Sequence, residues 1–365
     1  MTGRPPGPIN LNKYDYELSF SGIPTFLKLP YCMTPEDLSA GGIEVAIGGI
    51  PWDGTLSSRV GTSMGPRGIR TADHQWTVGY EKYHLHVGVD FHQHLKMADY
   101  GDVQLAHGAI EQNFHNMRNF VGEILGAGAV PIILGGDHAI TWPNVGALAE
   151  HYGHGKIGVI HFDAHVDTSP LLPGQYASHG SQFYQLIEEG SIKGENFVQV
   201  GLRGYWPGPD VLEYIEEKGV RSHYMAEIEK YGFDTVLDRA INEAIDGADY
   251  VFLSVDVDVV DPSAAPGTGS PEPGGLTAHQ ILTATRRIAH EVGIHGMDVT
   301  EVSPPLDSGN NITQHLANRI VWEALTGMSM RKMGLPPKYL DERFSEGPRR
   351  SSADHAAHEV RQTVG

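Results

Sequence analysis

HFDAHVDT, residues 161–168, sets acidic and imidazole side chains at strict two-residue spacing: His161, Asp163, His165 and Asp167. Alternate side chains of an extended strand point to one face. The spacing therefore predicts that Asp163, His165 and Asp167 converge on one site. The apolar run KIGVI (156–160) feeds straight into them and reads as a buried strand. Carboxylates held at the end of such a strand need a compensating charge, because burying them unpaired is costly. A second stretch, SVDVDVVDP (254–262), sets Asp256 and Asp258 two apart after another apolar run, and VPIILGGDH (130–138) ends on His138. Four carboxylates and two imidazoles suffice to hold two divalent cations about 3.5–4 Å apart around a shared water. The set reads as that of a binuclear metal hydrolase.

Outward from this stretch, short apolar strands alternate with helical periodicity. Strands are expected at GIEVAIGGIP (from Gly42), ADYGDV (from Ala98), AVPIILGG, KIGVIHFD, NFVQVGL, YVFLSVDVD and GIHGMDVTEV. Helices are expected from Pro66, over 105–127, in SQFYQLIEEG and VLEYIEEKGV, near 232–246, from an N-cap at Thr277, and over 311–330. That alternation implies a mostly parallel sheet covered on both faces, a three-layer α/β/α fold. Every candidate ligand then lies at the carboxyl end of a strand, the edge where open parallel sheets place their sites.

The chain divides into an arm (1–41), a catalytic body (42–334) and a polar tail (335–365) expected to be mobile. The apolar segment SGIPTFLKLPY (21–31) is expected to pack against the body or a neighbouring subunit. Forty-five acidic against 26 basic residues give a net charge of −19. This opposes binding to nucleic acid, which needs basic surface to displace counterions, and to an anionic membrane. Cys32 is the sole cysteine, so no internal disulfide forms, and a cytoplasmic location is the simple reading. The N-terminal segment lacks the apolar core of a signal peptide, and no apolar run is long enough to span a bilayer.

The weaker motifs leave alternatives open. Asp137 reads as the cap of the next helix, and His138 alone reads equally as structural. Glu301, in MDVTEVSPP (297–305), is either a surface acid or an anchor for a cation in the cleft. His179, in ASHGSQ (177–182), is either a solvated loop histidine or functional. Asp261, before Pro262, reads as a turn residue, and Gly135 and Gly136 as sites of close backbone approach.

At these residues the chain resembles the ureohydrolase family, the arginase and agmatinase group, with GGDH, HFDAHVD, SHG, SVDVDVVDPSAAPGTGSPEPGG and MDVTEVSPP in the family's order. SGIPTFLKLPY and the PEPGG turn resemble the agmatinase branch. The resemblance implies one metal on His138, Asp163, Asp167 and Asp256 and another on His165, Asp163, Asp256 and Asp258. Asp163 and Asp256 would bridge. It implies His179 as proton shuttle and Glu301 as the acid that grips a guanidinium. The metal would be Mn²⁺, with Ni²⁺ the alternative. The reaction would be hydrolysis of a small cationic guanidino compound to urea and an amine, by a homo-trimer or homo-hexamer. Guanidine or a biguanide such as metformin is the alternative substrate. A non-catalytic subunit in a hetero-oligomer with a homologue is the alternative role, opposed by the complete ligand set.

Three departures bear on the substrate. Val166 stands where the family has Thr. DGTLSSRVG (53–61) differs from the usual early loop, and Trp142 is bulkier than the usual residue. Ser169 and Gln175 occupy the positions where arginases carry an Asn and a Ser that hold an α-amino-acid head, so arginine is not expected.

Overall fold

The structure, a computed structural model, describes residues 3–14, 17–72 and 83–341. The strands are β1 (Val45–Gly49), β2 (Tyr83–His84), β3 (Val89–Asp90), β4 (Met97–Asp102), β5 (Val130–Leu134), β6 (Ile157–Phe162), β7 (Ile192–Leu202), β8 (Arg221–Tyr224), β9 (Tyr250–Asp256) and β10 (Gly296–Thr300). Eight of them form one sheet in the order β4-β1-β5-β10-β9-β6-β7-β8. Every pairing in it is parallel. β2 and β3 make a separate antiparallel pair.

The helices are α1 (Pro35–Gly41), α2 (Gly65–Thr71), α3 (Ile110–Gly126), α4 (Thr141–Tyr152), α5 (Gln182–Glu188), α6 (Pro209–Lys218), α7 (Met225–Tyr231), α8 (Phe233–Ala244), α9 (Ala278–Glu291) and α10 (Ile312–Lys332). They cover the sheet on both sides, because its strands are apolar on both sides. In β9, Val251, Leu253 and Val255 pack with α8, α9 and α10, while Phe252 packs with α3 and α4. α9 starts where its sequence says, with a reciprocal capping box between Thr277 and Gln280. Among the described residues no helix is long and apolar enough to cross a membrane.

The segment 21–31 packs on this chain's own body. Phe26 is fully buried, worth roughly 2–3 kcal/mol, and its N–H donates to Asp99 Oδ2 at 2.7 Å. Asp99 in turn receives Arg70 through Nε at 2.8 Å and Nη2 at 3.0 Å. At the other end, residues 335–341 lie against the body: His290 Nε2 is 2.8 Å from Leu335 O, and the Asp341 N–H donates to His86 O. The rest of the tail, 342–365, lies outside the described residues.

The sequence pattern passes over α1, α7, β8 and the short pair β2 and β3, and marks α4 only as the helix Asp137 would cap. β8 reads RSHY, with no apolar run, and is a strand because it pairs with β7 at the sheet edge.

Candidate metal centre

The candidate ligands stand at the carboxyl ends of four adjacent strands. His138 follows β5, Asp163, His165 and Asp167 follow β6, Asp256 ends β9 and Asp258 lies in the turn after it, while Glu301 follows β10. One expectation needs correction. β6 ends at Phe162, so Asp163, His165 and Asp167 do not alternate along a strand. They converge because the chain turns back after β6, with Asp167 at φ +50°. The His165 N–H donates to Asp163 Oδ1 at 2.6 Å, which holds the turn.

Two groups result. In the first, His138 Nδ1 lies 3.0 Å from Asp163 Oδ2, 3.2 Å from Asp167 Oδ2 and 3.1 Å from Asp256 Oδ2. In the second, His165 Nδ1 lies 3.3 Å from Asp163 Oδ1 and 3.0 Å from Asp258 Oδ2. Asp163 thus puts one oxygen into each group. Asp256 Oδ2 faces the first group, while its Oδ1 accepts the Asp258 N–H at 2.8 Å.

The residues fit a pair of cations on an observation internal to the protein. His138 Nδ1 is buried and makes no hydrogen bond, although three carboxylate oxygens surround it. Its Nε2 explains the orientation: it lies 2.9 Å from Ser254 Oγ, which donates to Asp298 Oδ1 at 2.7 Å. With the proton on Nε2, a bare nitrogen lone pair points at the carboxylates, the arrangement of a metal-ligating imidazole. The acids are crowded as well. Burial and then repulsion from Asp258 and Asp163 push Asp256 well above the usual carboxylate range. Burial and repulsion from Asp163 raise Asp258 to about 6. Divalent cations relieve that crowding.

Backbone geometry assembles the surroundings. A side chain at Gly136 would place Cβ 2.0 Å from the Trp52 carbonyl, so only glycine lets the two segments touch. Asp137 caps the turn at Ala139, as expected. It also accepts from the Thr55 N–H at 3.0 Å and from the Thr55 hydroxyl, fastening the loop 53–61 over the site. Glu301 sits at φ +60°. Its Oε1 accepts the His138 N–H at 2.9 Å and faces His179 Nδ1 at 3.2 Å, while its Oε2 has no hydrogen-bond partner among the described residues. Burial alone would lower the His179 pKa, but the bond to Glu301 and the charges of Glu301, Asp167 and Asp137 raise it to about 9. A cavity of about 300 Å³ opens over these groups; Ser57, Ser178, Trp206 and Ser270 line it with His165, His179 and Glu301.

The open alternatives resolve by position. Glu301 is 4% exposed and no surface acid, and His179 faces the cavity. Asp261 is a turn residue held to about 2 by hydrogen bonds from Ser263 and the Gly274 N–H. Trp142 does not shape the cavity. It packs with Phe114 and Tyr176 in a separate aromatic cluster and donates to Glu189 at 3.0 Å. Val166 is buried in the apolar core, and its carbonyl accepts Gln199 Nε2. The Ser169 backbone N–H donates to the Gly180 carbonyl, and Gln175 Oε1 accepts the Leu172 N–H at 3.0 Å.

Sequence reasoning passed over Ser254, Asp298 and Trp206. Ser254 carried a signal: a hydroxyl at the strand position two before Asp256, on the same face of β9. Trp206 carried none, since its place at the cavity follows from the loop after β7.

An α/β/α sheet with paired His/Asp clusters at its carboxyl edge defines a class of binuclear metal enzyme. The arginase family model matches residues 43–327, and the chain belongs to that family. It is 36% identical over 311 residues to proclavaminate amidinohydrolase of Streptomyces clavuligerus, covering 84% of this chain and 93% of that protein. The solved structure of that relative is similar with a TM-score of 0.77 at 34% identity, covering 86% of this chain and 99% of that one. Guanidinopropionase of Pseudomonas aeruginosa is 35% identical over 291 residues, with 80% and 87% covered. Agmatinase of Chromobacterium violaceum is 35% identical over 323 residues, with 87% and 92% covered.

Proposed function

We propose that this protein hydrolyses a C–N bond of a small guanidino compound, giving urea and an amine. The division of Asp163's two oxygens between two His/Asp groups, beside Glu301 and His179, carries this reading. His138, Asp163, Asp167 and Asp256 would hold one cation, and Asp163, His165, Asp256 and Asp258 the other. When bound, such a pair supplies a nucleophile at neutral pH by lowering the pKa of a shared water.

The chain's own residues account for the rest. Glu301 Oε2, free beside the cavity, accepts N–H donors of the guanidinium in a charge-assisted bond. Its Oε1 keeps His179 in place at 3.2 Å. Attack on the guanidinium carbon makes the departing nitrogen basic, and His179 transfers a proton to it as the C–N bond breaks. Four Asp carboxylates balance two divalent cations, and the Glu301 carboxylate is the further negative group that faces a guanidinium.

Carboxylate and imidazole ligands accept Mn²⁺ as well as Ni²⁺; Mn²⁺ is the reading the family resemblance supports. A homo-trimer or homo-hexamer in the cytoplasm, with 42–334 as the catalytic body between an arm and a tail, completes the proposal. The test is urea release by the protein expressed alone, loaded in parallel with Mn²⁺ or Ni²⁺. Wild type is expected to release urea with about two metals bound per chain. Glu301→Gln is expected to keep both metals and raise KM by about 10²-fold, a loss in line with a charged hydrogen bond. Two bound metals with no urea from any guanidino compound would refute the reading.

A further inference from the structure

His179 meets two groups of Ser57 at a single ring nitrogen. Its Nε2 accepts from the Ser57 backbone N–H at 3.2 Å and lies 3.1 Å from Ser57 Oγ. Its Nδ1 is occupied by Glu301 Oε1 at 3.2 Å. Among the described residues, Ser57 supplies the one hydroxyl within hydrogen-bond distance of Nε2. The hydroxyl of Ser178, the chain neighbour of His179, accepts the Gly180 N–H instead, at 3.3 Å.

A neutral imidazole donates at one nitrogen and accepts at the other, whereas an imidazolium donates at both. Glu301 is an acceptor toward either form, so Nδ1 keeps its proton and Nε2 is the nitrogen that gains and loses one. Ser57 matches both states of Nε2. Its N–H donates to the bare nitrogen, and its Oγ accepts from the protonated one. A residue that only fastened the ring would match one state. A hydroxyl that accepts also carries a proton of its own to pass on.

The loop 53–61 is built to hold Ser57 in this place. Asp53 Oδ2 accepts the Ser63 hydroxyl at 2.7 Å and the Gly61 N–H at 3.2 Å, which closes the loop at its base. Thr55 is bound to buried Asp137 through its N–H at 3.0 Å and its hydroxyl at 2.7 Å. The Thr55 carbonyl accepts the His179 N–H at 3.5 Å, tying this loop to the one that carries the histidine. Two residues beyond Thr55, Ser57 lines the cavity together with His179 and Glu301.

We propose that Ser57 is a catalytic residue, whose hydroxyl relays the proton from His179 Nε2 to the departing nitrogen. The proposal rests on the hydrolase reading above. As the C–N bond breaks, its electron pair stays on the departing nitrogen. That nitrogen takes the Ser57 hydroxyl proton, and Ser57 Oγ takes the proton of His179 Nε2. Ser57 ends as it began, and the bare Nε2 then accepts the Ser57 N–H. Hydrolysis consumes one water, whose released proton recharges Nε2.

The test uses the metal-loaded full chain and whichever of agmatine, 4-guanidinobutyrate and guanidine wild type converts to urea fastest. Ser57→Ala keeps the backbone N–H and removes only the hydroxyl. Its kcat is expected to fall at least about tenfold, with KM and bound metal within about twofold of wild type. Ser57→Thr, which restores a hydroxyl, is expected to recover most of the loss. Ser57→Ala combined with His179→Ala is expected to match His179→Ala alone within about twofold, because the two groups form one path. A smaller fall in Ser57→Ala, a Ser57→Thr variant no faster than Ser57→Ala, or a further loss in the double variant overturns the relay while the hydrolase reading stands. No urea from wild type with any of the three compounds refutes the hydrolase reading, and the relay with it.

Discussion

Ser254→Ala tests whether one hydroxyl orients the metal-facing histidine. Ser254 Oγ lies 2.9 Å from His138 Nε2 and 2.7 Å from Asp298 Oδ1. Asp298 Oδ2 accepts from Thr141 Oγ1 at 2.8 Å and Asn144 Nδ2 at 2.9 Å, so the chain of bonds ends on fixed side chains. All of these groups are buried. Alanine would remove the acceptor for the His138 N–H and the donor to Asp298, leaving buried polar groups unmatched at about 1–3 kcal/mol. Loss of such an outer partner typically lowers metal affinity about 10–100-fold, which is about 1.4–2.8 kcal/mol. His138 belongs to only one of the two groups, so one metal equivalent should weaken and the other should not. The assay is titration of the purified variant against a chromogenic chelator, with thermal melting of the metal-free protein as a control for folding. Two equivalents of wild-type affinity would show that Ser254 does not orient His138. Equal weakening of both would show that His138 does not serve a single site.

Gly136→Ala should be more damaging than an ordinary loop substitution, because its Cβ would fall 2.0 Å from the Trp52 carbonyl. Loss of roughly 2–4 kcal/mol of stability is expected; a denaturant midpoint equal to wild type would disprove the close approach. A pH prediction concerns Glu323, away from the metal ligands. Its burial opposes ionisation, but the bond from His84 and the charge of Arg286 outweigh it and hold its carboxyl below the ordinary value of 4.5. Because the folded pKa is depressed, the contribution to stability is present above about 4.5 and is lost as pH falls through the folded pKa. Glu323→Gln should destabilise the metal-free protein by about 1–3 kcal/mol at neutral pH. The gap from wild type should shrink below pH 4.5, as read by urea denaturation across pH; a gap that widens on acidification would contradict the sign.

Much of this molecule is legible in its sequence because the signals are local. Apolar runs mark the strands, as in VPIILGG before His138 and YVFLSV before Asp256. Thr277 and Gln280 mark a helix start, and acids placed directly after apolar runs mark a strand-end site. What local pattern does not encode is neighbourhood. β5, β6, β9 and β10 follow one another along the chain with long gaps, yet lie side by side as β5-β10-β9-β6. Only that order brings His138, Asp163, Asp256 and Glu301 within reach of each other. The two-residue spacing of HFDAHVDT predicts convergence along a strand, but the strand stops at Phe162, and a turn anchored on Asp163 brings these side chains together. The tertiary structure also decided which tryptophan matters. Trp142, adjacent to the GGDH motif in sequence, packs away from the cavity, whereas Trp206, far from any motif, lines it. Side chains at a site are set by strand order and loop path, which are properties of long-range packing, and no window of sequence contains them.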